Sequence, residues 1–164
     1  MKNLKTQKAF FIIALIFSAV TAVYGIAAYF LAVPRIVMIA LIVPTAVITV
    51  IAAVSAVKNR GAYNKDILKY IDIALVFLLA AVILWAGANY FLFSKMIAAG
   101  TAVALPDGYH IVSGGEIVAD ITKEQYITVT LAEIKLIMSE CAAFCFISAF
   151  LFKINANYLK SKEN

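Results

Sequence analysis

AFFIIALIFSAVTAVYGIAAYFLA, residues 9–32, is an uncharged apolar run that follows the lysine-bearing start MKNLKTQK. A helix needs about 20 apolar residues to cross a hydrocarbon core about 30 Å thick. The run is roughly twice as long as the apolar part of a secretory signal peptide, and three more such runs follow it. We therefore interpret residues 9–32 as a retained transmembrane helix and not as a cleaved leader.

Composition extends this interpretation to the whole chain. Hydrophobic residues make up 65% and charged residues 14% of its 164 residues, whereas soluble domains have nearer a half and a quarter. A compact core of this size cannot bury so much apolar surface, so the bilayer must act as its solvent. We predict an all-α membrane protein, a single domain over residues 1–164, built as an antiparallel bundle of four transmembrane helices. The helices are expected at residues 9–32, 35–57, 67–94 and 123–153.

Lysine and arginine are distributed unevenly between the two ends of this bundle. One end carries ten of the 14: Lys2, Lys5, Lys8, Lys58, Arg60, Lys65, Lys69, Lys153, Lys160 and Lys162. The other end carries four: Arg35, Lys95, Lys123 and Lys135. Because basic flanks stay in the cytoplasm, we predict a multi-pass plasma-membrane protein with both termini cytoplasmic.

The loop between the third and fourth helices, residues 95–122, is then extracytoplasmic. Its segment YHIVSGGEIVADI, residues 109–121, indicates a small β-hairpin, because two alternating runs flank Gly114 and Gly115. A Gly-Gly pair suits the positive φ angles of a two-residue turn. The hairpin is the largest polar structure predicted for the chain.

The register of this hairpin follows from its two-residue turn. Val112 would pair with Ile117, and His110 would pair with Ala119, so that one face is largely apolar. A lone hairpin is marginally stable in water. We therefore expect the apolar face to lie against the outer ends of the helices.

The start of the fourth helix is indicated by Thr122 and Gln125, which have the spacing of a capping box. The helix would begin near Lys123 and extend about 15 Å beyond the membrane before entering it. This stem is the expected support for the hairpin.

The segment GYHIVSGGEIVADITKEQY resembles one found in small uncharacterised four-span membrane proteins of bacteria, often Gram-positive. The matching residues are Gly108, Tyr109, Gly115, Ile121, Thr122, Glu124 and Tyr126. The resemblance covers about twenty residues and the four-span layout. It implies a bacterial plasma-membrane protein with the hairpin outside, and it carries no activity.

Glu140 is a carboxylic acid within the fourth predicted span, about 10 Å inside the outer boundary. A charge at such a depth costs roughly 2–3 kcal/mol or more, so it is expected to face the bundle interior. Asn89 lies at a matching depth and is the expected partner. Glu140 is either a proton carrier, a structural hydrogen-bonding group, or a side chain that reaches the outer interface near Lys95 and Lys135.

No catalytic motif accompanies this carboxyl. Cys141 and Cys145 are one helical turn apart, and side chains at that spacing lie too far apart for the ~3.8 Å Cβ separation of a disulfide. We interpret both cysteines as small buried hydrophobic residues. We predict no enzymatic activity and no cofactor.

His110 is the sole histidine, and we expect it on the hairpin surface. The acids near it are scattered, so a metal site of the usual ligand types and spacing is not predicted. Nucleic acid is excluded as a partner because no basic patch with interleaved aromatics occurs. The residues expected to recognise a partner are Tyr109, His110, Gly114, Gly115, Glu116 and Asp120.

Two functions remain open on this sequence. The first is a non-enzymatic accessory, interaction or immunity-type protein, which sits in the lipid bilayer and recognises another membrane or extracytoplasmic protein through its hairpin. The alternative is a small proton-coupled transporter that acts as a homo-oligomer, with Glu140 as the ion site. The absence of an acid from the first helix disfavours the small drug exporters that carry their carboxylate there.

Overall fold

The computed structural model describes residues 3–64 and 67–163. Lys2 and Lys65, which contribute to the predicted cytoplasmic charge, lie outside the described residues. Four long helices account for most of the described chain: α1 (Leu4–Ala27), α2 (Arg35–Lys58), α3 (Ile73–Ile97) and α4 (Lys123–Glu163). Each of the four is long and apolar enough to cross a membrane.

The helix ends differ from the predicted ones where polar side chains cap them. Asn3 Oδ1 accepts a hydrogen bond from the Lys5 amide at 2.8 Å, so α1 begins five residues before the apolar run. Asp72 Oδ1 accepts from the Ala74 amide at 3.1 Å and starts α3 at Ile73. The residues before it form two short 3-10 segments, Arg60–Tyr63 and Ile67–Tyr70.

α4 is the central helix, and the other three pack around it. It runs antiparallel to α1: the Phe10 and Phe152 rings stack at 5.4 Å, and Ser18 Oγ donates to the Ala142 carbonyl at 2.9 Å. Gly25 allows close approach, because a Cβ there would lie 3.1 Å from Met138 Cβ. Small residues at such contacts let helix backbones approach closely in lipid.

A three-stranded antiparallel sheet joins α3 to α4. Its strands are β1 (Thr101–Leu105), β2 (Gly108–Ser113) and β3 (Glu116–Ile121), in the order β1-β2-β3. The predicted pairing across Gly114 and Gly115 is present, with φ of 63° and 90° at the two glycines. β1 was not predicted. Pro106 and Asp107 form the tight turn that connects it to β2.

The register of β2 and β3 differs from the predicted one after the first two pairs. Val112 pairs with Ile117 as expected, but His110 pairs with Asp120. The predicted pairing of His110 with Ala119 is wrong because β3 contains a bulge at Val118. One extra residue in β3 shifts every later pair, and it brings the Asp120 carboxylate to the histidine ring.

The sheet packs on α4 through β1 and β2. Ala102 and Ile111 are buried, and the Tyr109 ring lies 5.0 Å from the Tyr126 ring of α4. β3 remains exposed along nearly its whole length. The expectation that the apolar face of the hairpin would be covered therefore holds for β2 and fails for β3.

We call the end of the bundle with the sheet and the α1–α2 connection the sheet end. The opposite end, with Asn3, Glu163 and the 3-10 segments, is the terminal end. At the terminal end, a buried polar cluster links three helices. Gln7 Nε2 donates to Ser55 Oγ at 2.9 Å, and Asn155 Nδ2 donates to the same oxygen at 3.1 Å.

Candidate functional site

β1 and β3 are the two edge strands of the sheet, and β3 is the more exposed of them. Its apolar residues Ile117 and Val118 are 51% and 55% exposed, and its carboxylates Glu116 and Asp120 also lie at the surface. An edge strand presents unpaired backbone N–H and C=O groups that can pair with another strand. The predicted recognition residues of β3 therefore lie on an accessible edge.

His110 occupies a different place from the one predicted. Its side chain is only 8% exposed, and both of its ring nitrogens face carboxylates. Nδ1 lies 2.7 Å from Asp120 Oδ1, and Nε2 lies 3.2 Å from Asp107 Oδ1. The expected surface histidine is thus a buried connector between β2, β3 and the β1–β2 turn.

The electrostatics of this group favour the charged ring. A neutral imidazole has one N–H donor, whereas the imidazolium has two and can serve both carboxylates. The hydrogen bond to Asp120 raises the pKa of His110, with a smaller contribution from Asp107 and partial opposition from burial. Within the described residues, no group of three or more His, Cys, Asp or Glu could hold a metal ion.

Arg35 holds this region together, and sequence reasoning did not identify that role. Its Nη1 donates to the Ala102 carbonyl of β1 at 2.9 Å, and its Nη2 donates to Glu133 Oε1 at 2.7 Å. The guanidinium thus ties the sheet to both α2 and α4. The available signal in the sequence was that Arg35 and Glu133 carry opposite charges at similar depths near the sheet end.

Three of the predicted recognition residues have structural roles in the sheet: Tyr109, Gly114 and Gly115. Tyr109 packs against Tyr126 and joins β2 to α4. A Cβ at either glycine of the turn would meet no atom within 4 Å, but the positive φ angles favour glycine at both positions. Tyr109 anchors the sheet to α4, and the two glycines form its turn. The exposed side chains lie on β3.

Among the described residues, no hydrogen bond joins Glu140 to Asn89, so the predicted pair is not formed. Asn89 is buried, accepts a hydrogen bond from the Tyr29 hydroxyl, and donates Nδ2 to the Lys135 carbonyl at 3.4 Å. Lys135 lies over the Tyr29 ring, with Nζ 4.7 Å from its centroid. Equal depth therefore did not put the amide and the carboxyl on facing sides of their helices.

The half-buried Glu140 side chain faces two open grooves. One groove, of about 420 Å³, lies between α2 and α4 and includes Thr45 and Thr49. The other, of about 470 Å³, lies between α3 and α4. Phe144, 51% exposed, lines both grooves with Glu140. Within residues 3–64 and 67–163, the Glu140 carboxylate makes no hydrogen bond or ion pair.

The two cysteines are free and buried. Cys145 Sγ donates a weak hydrogen bond to Thr45 Oγ1 at 3.6 Å, and Cys141 packs in an apolar cluster with Met38 and Met138. Both positions suit small hydrophobic side chains.

Comparison with known proteins adds no assignment to these features. No known protein family, curated protein or solved structure matches the chain. The geometry of the chain itself therefore carries the functional argument.

Proposed function

We propose that this chain is a non-enzymatic interaction protein of a bacterial plasma membrane, which recognises an extracytoplasmic protein by pairing with β3. In this proposal α1 to α4 cross the bilayer, both termini are cytoplasmic, and the sheet end lies outside. The observation that carries the proposal is the free, exposed edge of β3, mounted on a helix at the end of an apolar bundle.

The membrane orientation is supported by the charges at the two ends. Of the described basic residues, eight lie at the terminal end: Lys5, Lys8, Lys58, Arg60, Lys69, Lys153, Lys160 and Lys162. At the sheet end, Arg35 is already paired with Glu133 at 2.6 Å. Basic flanks are retained on the cytoplasmic side.

The chemistry of β3 indicates the kind of partner. An extended peptide can add a strand to a free edge, with backbone hydrogen bonds for affinity and side-chain contacts for specificity. Ile117 and Val118 offer apolar contacts. The sheet and its β1–β2 turn carry three carboxylates, of Asp107, Glu116 and Asp120, and one basic side chain, His110. An extended segment with basic and apolar residues complements this edge.

The mounting of the sheet suits recognition because it fixes the edge in space. Arg35 ties β1 to α2 and α4, and His110 ties β2 to β3. A preorganised edge loses less conformational entropy when a partner strand pairs with it.

A photoreactive residue at Val118 tests the proposal in intact cells. We expect a discrete crosslinked protein, identified by mass spectrometry. Val118→Lys should then reduce co-purification of that protein at least tenfold, because an edge lysine opposes pairing with a basic strand. Leu105→Lys is the matched control, since Leu105 is an exposed apolar residue on the opposite edge strand. Crosslinking to lipid alone, or equal losses in both variants, contradicts the proposal.

The unpartnered Glu140 favours a second candidate, a proton-coupled transporter that acts as an oligomer. Its carboxyl borders two grooves that open from α4, and an unpaired intramembrane acid is a functional candidate by default. In reconstituted vesicles, this candidate predicts proton flux that Glu140→Gln abolishes and Glu140→Asp partly retains. If the wild-type protein carries no proton flux, or if Glu140→Gln leaves the flux unchanged, the transporter candidate is excluded.

A further inference from the structure

A groove of about 240 Å³ lies between α1 and α4 at the terminal end, away from the sheet and from Glu140. Its lining combines two basic residues, one amide and three apolar residues: Lys8, Phe11, Ile12, Lys153, Ala156 and Asn157. None of these is acidic. The groove is also more enclosed than the two that border Glu140.

The groove is graded from polar to apolar along the helix axes. Lys8 and Asn157 lie nearest the terminal end, whereas Phe11 and Ile12 lie about one helical turn deeper on α1. Lys153 stands between the two zones, with Nζ 5.3 Å from the Phe11 ring centroid. A long basic side chain can lay its apolar stem along apolar neighbours and hold its charge in a polar zone in this way.

The rim of the groove is fixed by Asn157. Its Nδ2 donates to the Tyr70 carbonyl at 2.9 Å, which ties the 3-10 segment Ile67–Tyr70 to α4. Its amide oxygen is a hydrogen-bond acceptor. The described carboxylates of this end lie elsewhere: Asp72 caps α3, and Glu163 ends α4.

We propose that this groove binds the headgroup of an anionic phospholipid from the leaflet at the terminal end. The ammonium groups of Lys8 and Lys153 pair with the phosphate, and an acyl chain follows Phe11 and Ile12 into the membrane. Basic pockets between transmembrane helices are suited to anionic headgroups. This inference does not depend on partner recognition by β3.

The groove needs a lipid and not a free phosphate because only a lipid fills both zones. A phosphate ion would engage only the two lysines and make no contact with the apolar wall that includes the exposed Ile12 side chain. A phospholipid satisfies the cations and covers the apolar wall at the same time.

Native mass spectrometry of the full chain in detergent tests this proposal, with phosphatidylglycerol and phosphatidylcholine as the probes. We expect one phosphatidylglycerol to bind at least tenfold more tightly than phosphatidylcholine. The double variant Lys8→Gln/Lys153→Gln should weaken that binding about tenfold or more. Lys58→Gln/Lys160→Gln removes the same charge from the same end outside the groove, and should leave it within twofold.

Three results overturn the proposal: equal binding of the two lipids, equal losses in the two double variants, and displacement of the lipid by inorganic phosphate at millimolar concentration. If the first double variant fails to fold, Lys8→Gln alone decides the question, because Lys8 is exposed. It should weaken phosphatidylglycerol binding severalfold, and unchanged binding contradicts the proposal. Lys153→Arg should retain the site.

Discussion

His110 was predicted at the surface of the hairpin, and the structure places it between two carboxylates. On the sequence it was an isolated histidine among scattered acids. The bulge at Val118 moves Asp120 opposite the ring, and the tight turn brings Asp107 to the second nitrogen. A one-residue insertion in a strand leaves no clear signal in the pattern, so the shift could not be predicted from alternation alone.

The raised pKa of His110 predicts a pH-dependent sheet. A group with a raised pKa contributes stability that is complete below its unfolded pKa of about 6.5 and is lost as pH rises through the higher folded pKa. The protection factors of the β2 amides, which are corrected for base-catalysed intrinsic exchange, should therefore be larger at pH 5 than at pH 9. His110→Gln should remove most of this difference. Protection that increases with pH would contradict the assignment.

Tyr63 lies in the 3-10 segment at the terminal end, and burial raises its pKa to about 12. Its hydroxyl donates to Asn155 Oδ1 at 3.0 Å. We expect Tyr63→Phe to lower the free energy of unfolding in detergent by about 1 kcal/mol, the usual net contribution of a hydrogen bond. Tyr90→Phe is the control, since the Tyr90 ring is exposed. Equal stabilities of the two variants would exclude this role for Tyr63.

For Glu140, the depth along the helix could be predicted but the neighbouring side chains could not. Counting along a helix fixes the depth of a residue, and that depth was the basis of the Asn89 pairing. Rotation about the helix axis depends on packing, and here Asn89 faces Tyr29 and Lys135. The sequence therefore indicated the unusual residue without indicating its neighbours.

At the element scale, the long helices could be predicted because an uninterrupted run of about twenty apolar residues is typical of a membrane-spanning helix. The β2–β3 hairpin could be predicted because Gly114 and Gly115 suit a tight turn. β1 was missed because TAVAL is short, contains two alanines and directly follows an apolar helix. Its pairing with β2 and its contact with Arg35 stabilise it, and neither is visible locally.

Gly25 and Gly87 make a matched test of helix packing. A Cβ at Gly25 would lie 3.1 Å from Met138 Cβ and 3.2 Å from the Trp85 ring, whereas one at Gly87 would meet no atom within 4 Å. We expect Gly25→Ala to destabilise the fold by about 1–3 kcal/mol through overpacking. Gly87→Ala should be neutral or stabilising by up to about 1 kcal/mol, because alanine favours helix. Chemical denaturation in detergent measures both, and the reverse order would contradict the packing of α1 on α4.

The Arg35–Glu133 ion pair joins α2 to α4 and holds β1. Arg35→Gln and Glu133→Gln should each lower stability by about 1–3 kcal/mol, because each leaves a partly buried charge without its partner. The double variant should lose less than the sum of the two. A double-mutant cycle measures this coupling, and additive losses would show that the pair contributes no mutual stabilisation.

At the scale of the whole molecule, one helix organises the fold. α4 has 41 residues, about twice the length needed to cross a bilayer, so it supports the sheet at one end and reaches the 3-10 segments at the other. Three helices pack on it and leave the side with Glu140 and Phe144 open. This arrangement places an exposed edge strand, the Glu140 carboxyl and a basic groove at three separate levels along α4.

The central claim is that the chain spans the membrane with its sheet outside. The direct measurement is labelling of Ser113→Cys, at the exposed last residue of β2, with a membrane-impermeant thiol reagent on intact cells. The native cysteines are buried, and Ser161→Cys, exposed near the end of α4, is the matched control. The account predicts labelling of Ser113→Cys on intact cells and of Ser161→Cys only after the cells are opened. Labelling in the reverse pattern would contradict it.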